Sequence, residues 1–236
     1  MPERRREANE LIISYMTLRK VVGWIGVLLP VVLLAGELAV FSGPIPASIS
    51  DYYYTHMRNV LEGSLCALGV FLLAYAGYDE WDRWITNAAG LFALGVAFFP
   101  TSPPAGALTA GQRVVGAIHM ASAALTFIAL AVMALRFAKT AGPPERPAGL
   151  AGRLRLGLGF GAPGPRTARK KARNVVYRAC AIAILACLAL AGAAALLPVP
   201  AWRHLPLVYA FESLAIFAFG VSWFVKGGTL TVLADR

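Results

Sequence analysis

Charged side chains are scarce in this sequence, and their scarcity excludes most soluble folds. Only 14% of the 236 residues are Asp, Glu, Lys or Arg, against roughly 25% in an ordinary soluble domain. Hydrophobic residues make up 58% of the chain. This composition indicates a helical membrane protein.

Cysteine and histidine are also rare, with three of each. The cysteines all lie within apolar runs: Cys66, Cys180 and Cys187. No CxxC or Cys/His spacing links them, which excludes a disulfide framework and a cysteine metal site. No cofactor is expected. Because zinc accepts nitrogen and oxygen ligands, a metal site built from His119, Glu62 and Glu212 stays as a minor alternative.

Acidic residues are outnumbered by basic ones, and the formal net charge is +10. In a soluble protein such an excess would suggest a nucleic-acid partner. Here the basic residues lie between and beside the apolar runs, so no nucleic acid is expected and membrane lipids are the predicted partner. The basic segment 166–173 is expected to contact anionic head groups. The sequence carries no signal for an oligomeric state.

Six apolar runs approach the roughly 20 residues that a membrane span requires. They cover residues 20–41, 59–78, 83–100, 114–136, 175–197 and 206–226. In lipid, backbone hydrogen bonds must close within each segment. The predicted fold is therefore an all-α, polytopic transmembrane bundle of about six helices, with residues 1–236 forming a single integral membrane domain.

The distribution of Lys and Arg predicts the orientation in the cell (inner) membrane. If both termini are cytoplasmic, 19 of the 22 basic residues lie on the cytoplasmic side, as the positive-inside rule requires. The segment 138–174, rich in Gly, Pro, Ala and Arg, is predicted to be a flexible basic cytoplasmic loop. Its GxGxxG match at 159–164 follows no strand, so it does not indicate a dinucleotide site.

The loop after the first run, predicted at residues 42–58, is unusually rich in polar and aromatic side chains and lies on the outer side in this topology. We predict that it covers a binding site and contributes ligand-binding side chains: Ser50, Asp51, Tyr53, His56 and Arg58. The alternative for its three consecutive tyrosines is an interfacial aromatic belt.

Four ionisable residues lie inside the apolar runs: Glu37, Glu62, His119 and Glu212. Such residues usually face the bundle interior or a cavity, and the predicted topology places all four in the outer half of the membrane and none in the inner half. They predict a polar pocket with walls from runs one, two, four and six. The alternatives are that Glu62 only neutralises Arg58, four residues earlier, and that the others make interhelical hydrogen bonds.

Helical spacing refines these predictions. The fourth run carries one polar stripe: Gln112, His119, Ser122 and Thr126. Glu212, Phe219 and Ser222 share a face of the sixth run. The fifth run is dominated by alanine and contains Gly192, which predicts close helix packing.

The segment Pro44-Ile-Pro-Ala-Ser-Ile-Ser50-Asp51, followed by Glu62 at a helix start, resembles the first-loop signature of DRAM/Sfk-like and related bacterial multi-pass proteins. This resemblance implies a six-helix bundle and a role connected with membrane lipids. Ser50, Asp51, His56 and His119 are also similar to part of the CREST hydrolase site. The last run lacks the histidine pair of that family, and the chain has six runs instead of seven.

The leading hypothesis is thus a membrane protein whose outer-facing polar pocket binds a lipid or other amphiphile. One alternative is a metal-dependent hydrolase or transferase at the outer surface, with Glu62 or Asp51 as the base. A transporter and a structural or assembly subunit are the remaining alternatives.

Overall fold

The computed structural model describes residues 2–75, 77, 79–139, 168–197 and 205–229. These residues form six α-helices: α1 (Pro2–Ala35), α2 (Arg58–Leu73), α3 (Glu80–Phe98), α4 (Ala110–Lys139), α5 (Ala168–Leu196) and α6 (Leu207–Lys226). The described residues contain no strand, and the all-α prediction is confirmed. Most of the predicted loop 138–174 lies outside the described residues.

The helices form a closed ring. Each helix packs against the next one along the chain, and α6 packs against α1. Neighbouring helices run in opposite directions, as the short connection between α2 and α3 favours. Contacts support this arrangement, because the end of α4 meets the start of α3 through Arg136 and Asp82, and the end of α4 meets the start of α5 through Phe137 and Tyr177.

The ring has two distinct ends. The basic end carries Arg19, Lys226 and the start of α5, and it contains an aromatic core in which Trp223 contacts Tyr75 and Phe137 edge to face. The opposite end, called the lid end below, has a separate core in which Leu33 packs with Tyr52 and Tyr209. The first loop therefore supplies part of a hydrophobic core.

Four stretches are long and apolar enough to cross a membrane: Met16–Val40, which ends in the π-helical turn Gly36–Val40, and the helices α4, α5 and α6. Helix α2 has 16 residues and is about 24 Å long at 1.5 Å per residue, short of a hydrocarbon core of about 30 Å. Helix α3 has 19 residues but begins with Glu80, Asp82 and Arg83. Its polar start lies three residues before the predicted one.

Close helix packing occurs at glycines that the sequence analysis did not single out. A Cβ atom on Gly90 would lie 2.7 Å from the carbonyl oxygen of Gly69, and one on Gly220 would lie 2.9 Å from that of Gly23. These contacts join α2 to α3 and α1 to α6. Helix α5 packs against α4 and α6, but Gly192 itself makes no close contact, because a Cβ there meets no heavy atom of the described residues within 4 Å.

Candidate site beneath the first loop

The first loop, residues 41–57, is bonded to the neighbouring elements at the lid end. The carbonyl of Ala47 accepts from the amide of Tyr209 at 2.8 Å. The amide of Ile49 donates to Glu212 Oε2 at 2.6 Å, and the Tyr54 hydroxyl donates to the carbonyl of Thr101 at 2.5 Å. These bonds tie the loop to α6 and to the connection between α3 and α4.

The loop also has a local fold of its own. The amide of Ser48 donates to Asp51 Oδ2, and the amide of Asp51 donates to Ser48 Oγ, both at 3.1 Å. This reciprocal pair has the logic of a capping box and begins the 3₁₀-helix Ser50–Tyr54. Asp51, predicted as a ligand-binding residue, is therefore engaged in shaping the loop.

Ser50 and His119 form a hydrogen-bonded pair between the loop and α4. His119 Nε2 lies 2.9 Å from Ser50 Oγ, and His119 Nδ1 lies 2.7 Å from the carbonyl oxygen of Phe99. A carbonyl only accepts, so Nδ1 carries the proton. In the neutral imidazole Nε2 is then an acceptor, and the Ser50 hydroxyl donates to it.

The polar stripe of α4 positions this histidine. His119, Ser122 and Thr126 are all buried, and Ser122 lies against α3 at Gly95, where a Cβ would be 2.7 Å from Ser122 Oγ. Gln112, predicted to belong to the stripe, is exposed and exchanges hydrogen bonds with Thr109 at the start of α4. Its role is to cap the helix.

A cavity of about 70 Å³ lies beneath the loop. Its polar lining comes from six side chains of the loop and of α2, α4 and α6: Ser50, Tyr53, Glu62, His119, Thr126 and Glu212. Helix α3 adds Ala93, Val96 and Ala97, a wall that sequence reasoning missed because α3 has no ionisable side chain there. The volume exceeds the roughly 10–15 Å³ that a water requires but is about half the roughly 150 Å³ of a cavity that holds benzene. The cavity is too small for an acyl chain.

A second, more open groove of about 330 Å³ adjoins the cavity between α2 and α3. Its lining includes Arg58, Asn59, Cys66 and Phe98, and it shares Tyr53, Glu62 and Ala97 with the cavity. Arg58 Nε donates to Glu62 Oε1 at 2.9 Å, as their spacing predicts, and another guanidinium nitrogen donates to the Tyr53 hydroxyl at 2.5 Å. The groove therefore joins a cation, a carboxylate and an aromatic ring to an apolar floor.

Glu37 and His56 were predicted for the same site, but they form a separate contact. His56 Nδ1 lies 3.6 Å from Glu37 Oε1, and the His56 ring stacks on Phe41 with ring centroids 4.6 Å apart. Neither residue lines the cavity or the groove. Tyr52 is buried against Tyr209, and burial raises the pKa of its hydroxyl.

The described residues contain no group of three His, Cys, Asp or Glu side chains placed to hold one metal ion. Glu62, His119 and Glu212 line the same cavity, but they do not come together as a ligand set. The metal-dependent alternative has no support from the geometry of these three residues.

The basic end contains buried charges that sequence reasoning did not place inside the bundle. Asp82 is fully buried and accepts from Arg136 Nε at 2.6 Å, and Arg136 also pairs with Asp79. Arg19 is buried and donates to the Tyr75 hydroxyl at 3.0 Å. Asp82 lay outside the predicted third run, whereas the structure buries it in the first turn of α3. The Asp-x-x-Asp spacing is the signal that was missed, because Asp79 caps α3 by accepting from the amide of Asp82.

The chain was compared with protein-family models, curated proteins and solved structures, and nothing matches. The resemblance of the 44–51 segment to DRAM/Sfk-like proteins therefore stays a prediction.

Proposed function

We propose that this chain is a six-span membrane protein, with the lid end outside, that binds the head group of a zwitterionic lipid or similar amphiphile in the groove between α2 and α3. Four apolar helices support a membrane protein. The placement of α2 and α3 in the same closed ring supports six spans. The basic residues concentrated at the opposite end support both termini being cytoplasmic.

The observation that carries the binding proposal is the pairing of Arg58 with Glu62 at the groove. The two side chains are 48% and 28% exposed, so both remain accessible to a ligand. A guanidinium has five N–H donors, of which Glu62 and Tyr53 engage two in the described contacts. Arg58 thus suits a phosphate oxygen, and Glu62 suits an ammonium group.

The groove sits where a lipid head group would meet the protein. Phe98, at the end of α3, is 69% exposed, and aromatic side chains are enriched at the membrane interface. Because the inner cavity is too small for an acyl chain, the tails would lie along the outer surface of the ring beside Phe98. The proposed site differs from the predicted outer-facing polar pocket in that it holds only the head group.

Retention of lipid by purified protein tests the proposal. Native mass spectrometry would compare wild-type protein with Arg58→Gln in nanodiscs that contain equal phosphatidylethanolamine and phosphatidylglycerol. We expect a retained phosphatidylethanolamine and a loss of about tenfold in Arg58→Gln, since one charge-assisted contact contributes about 1.4 kcal/mol or more. Arg83→Gln is the matched control, because Arg83 forms a similar exposed pair with Glu80 away from the groove. Equal retention by the two variants would refute the proposal.

Cysteine labelling tests the orientation. Single cysteines would be introduced into a variant whose three native cysteines are replaced by alanine. Ala105→Cys places one in the connection between α3 and α4, and Glu80→Cys places one at the start of α3. Both positions are exposed. We expect an impermeant maleimide to label position 105 in intact spheroplasts and position 80 only after permeabilisation. The reverse pattern would invert the topology.

A further inference from the structure

We propose that Ser50 and His119 are a nucleophile and its general base, and that the chain transfers acyl groups from an ester. The pair has the arrangement that activates a serine: a hydroxyl in hydrogen-bond reach of an imidazole that a third group orients. The Ser50–His119 and His119–Phe99 distances are 2.9 and 2.7 Å. The carbonyl of Phe99 holds the imidazole in the tautomer that accepts the serine proton.

The surroundings of Ser50 favour chemistry over a purely structural hydrogen bond. Both side chains line the cavity, so the serine oxygen borders free space where an ester carbonyl can enter. A histidine that only held the loop in place would have no need of that space. The amide of Ile49, one residue before Ser50, is fixed by Glu212 at 2.6 Å. Glu212 is thus a positioning residue for the nucleophile.

A substrate bound in the groove would lie beside the cavity. The linings of the two spaces share Tyr53, Glu62 and Ala97. The carbonyl of an ester just below a head group bound at Arg58 would enter the cavity, while its acyl chain stays on the outer surface beside Phe98. That the substrate is an amphiphilic ester rests on the proposed function. The Tyr53 hydroxyl accepts from Arg58 and keeps its own proton, which it can donate to the carbonyl oxygen.

The first half of the reaction transfers the acyl group to the protein. Ser50 Oγ bonds to the carbonyl carbon while its proton moves to His119 Nε2. The bond from that carbon to the alcohol oxygen then breaks, and the departing alcohol takes the proton from Nε2.

The second half returns the protein to its initial state. Water or an acceptor alcohol attacks the acyl carbon and gives its proton to His119 Nε2. The bond between the acyl carbon and Ser50 Oγ breaks, and the serine takes that proton back. The products are a carboxylic acid or a new ester, and no oxidant or metal is required.

Reaction with a fluorophosphonate probe tests the nucleophile without knowledge of the natural substrate. Purified protein in detergent would be treated with the probe, and tandem mass spectrometry would locate the adduct. We expect modification at Ser50, lost in Ser50→Ala and at least 100-fold slower in His119→Gln, because a general base contributes about 10²–10⁴-fold. Hydrolysis of a short-chain nitrophenyl ester should fall in parallel.

Two controls match these variants. Ser213→Ala removes a buried serine whose hydroxyl has no partner among the described residues, and His56→Gln removes a histidine whose described contacts are with Glu37 and Phe41. Both should react like wild-type protein. Ser50→Cys keeps a nucleophile of similar size, and its thiol should be alkylated at least tenfold faster than in the double variant with His119→Gln. This comparison works even where Ser50→Ala loosens the loop.

The outcomes separate this inference from the proposed function. Absence of a Ser50 adduct in folded wild-type protein, or unchanged ester hydrolysis in Ser50→Ala, would overturn the nucleophile and leave lipid retention standing. An adduct at Ser50 in a protein that retains no lipid would refute only the head-group site. Equal alkylation rates for Ser50→Cys with and without His119 would overturn the role of the base.

Discussion

Replacing Gly90 by alanine should destabilise the bundle by pushing α2 away from α3. The added Cβ would lie 2.7 Å from the carbonyl oxygen of Gly69 and 2.9 Å from Leu73 Cγ. The first of these is a backbone atom of α2, so it can move only if that part of the helix moves. Overpacking of this kind costs about 1–3 kcal/mol.

Gly192→Ala is the matched control. It lies within α5, as Gly90 lies within α3, and its added Cβ meets no heavy atom of the described residues within 4 Å. Both substitutions gain the same helix propensity, up to about 1 kcal/mol, so this gain cancels in their difference. The free energy of unfolding of Gly90→Ala should therefore lie about 1–3 kcal/mol below that of Gly192→Ala.

Steric trapping or reversible unfolding in mixed micelles would measure both variants in one detergent. Gly90→Ala should also weaken lipid retention in the groove, because α2 and α3 form the two sides of the groove. A difference below about 0.5 kcal/mol, with lipid retention unchanged, would show that the two helices do not approach closely at Gly90. That result would refute the helix packing on which the groove depends.

Three further outcomes follow from the remaining contacts. Asp82→Asn replaces the buried carboxylate that pairs with Arg136 by a neutral amide, while Asp79 retains part of the interaction. The free energy of unfolding should fall by about 3 kcal/mol, the low end for a buried pair. A loss below about 1 kcal/mol would contradict this. Tyr209→Phe removes a buried 2.8 Å hydrogen bond to a carbonyl of α1. The free energy of unfolding, measured by thermal unfolding in detergent, should fall by about 1 kcal/mol. No loss of stability would show that the bond is not formed. The amide of Asp82 and the Arg136 guanidinium lower the pKa of Asp79 from 3.8. The stability that ionised Asp79 contributes is therefore present above that value and is lost as the pH falls through the lower folded-state pKa. In Asp79→Asn the free energy of unfolding should vary less with pH below about pH 4, and the same pH dependence as in wild-type protein would contradict this.

Predictions from the sequence agree with the structure for features that depend on one local pattern of residues. Each of the six apolar runs overlaps one helix of the described residues, and the spacing of Arg58 and Glu62 predicted their ion pair. Each of these features depends on residues a few positions apart, so periodicity and composition are sufficient. The polar loop before Arg58 was singled out by its composition, but its 3₁₀-helix and its bonds to α6 were not predicted.

The same reasoning failed where partners are distant in the chain. Asp82 was assigned to a loop, yet it is buried against Arg136, 54 residues later. Glu37 was grouped with Glu62 and Glu212 by its depth in the membrane, but it turns to His56 and away from the cavity. Depth along a helix follows from sequence position, whereas the direction of a side chain around the bundle depends on how the helices pack.

Composition and apolar periodicity by themselves determined a helical membrane protein with an unusual first loop, because burial in lipid forces each segment to satisfy its own backbone. Only the tertiary structure decided which polar groups far apart in the sequence meet. Ser50 lies in a loop and His119 lies 69 residues later on α4, and no local pattern links them. Their contact exists because the helix ring closes and the loop is bonded across its end.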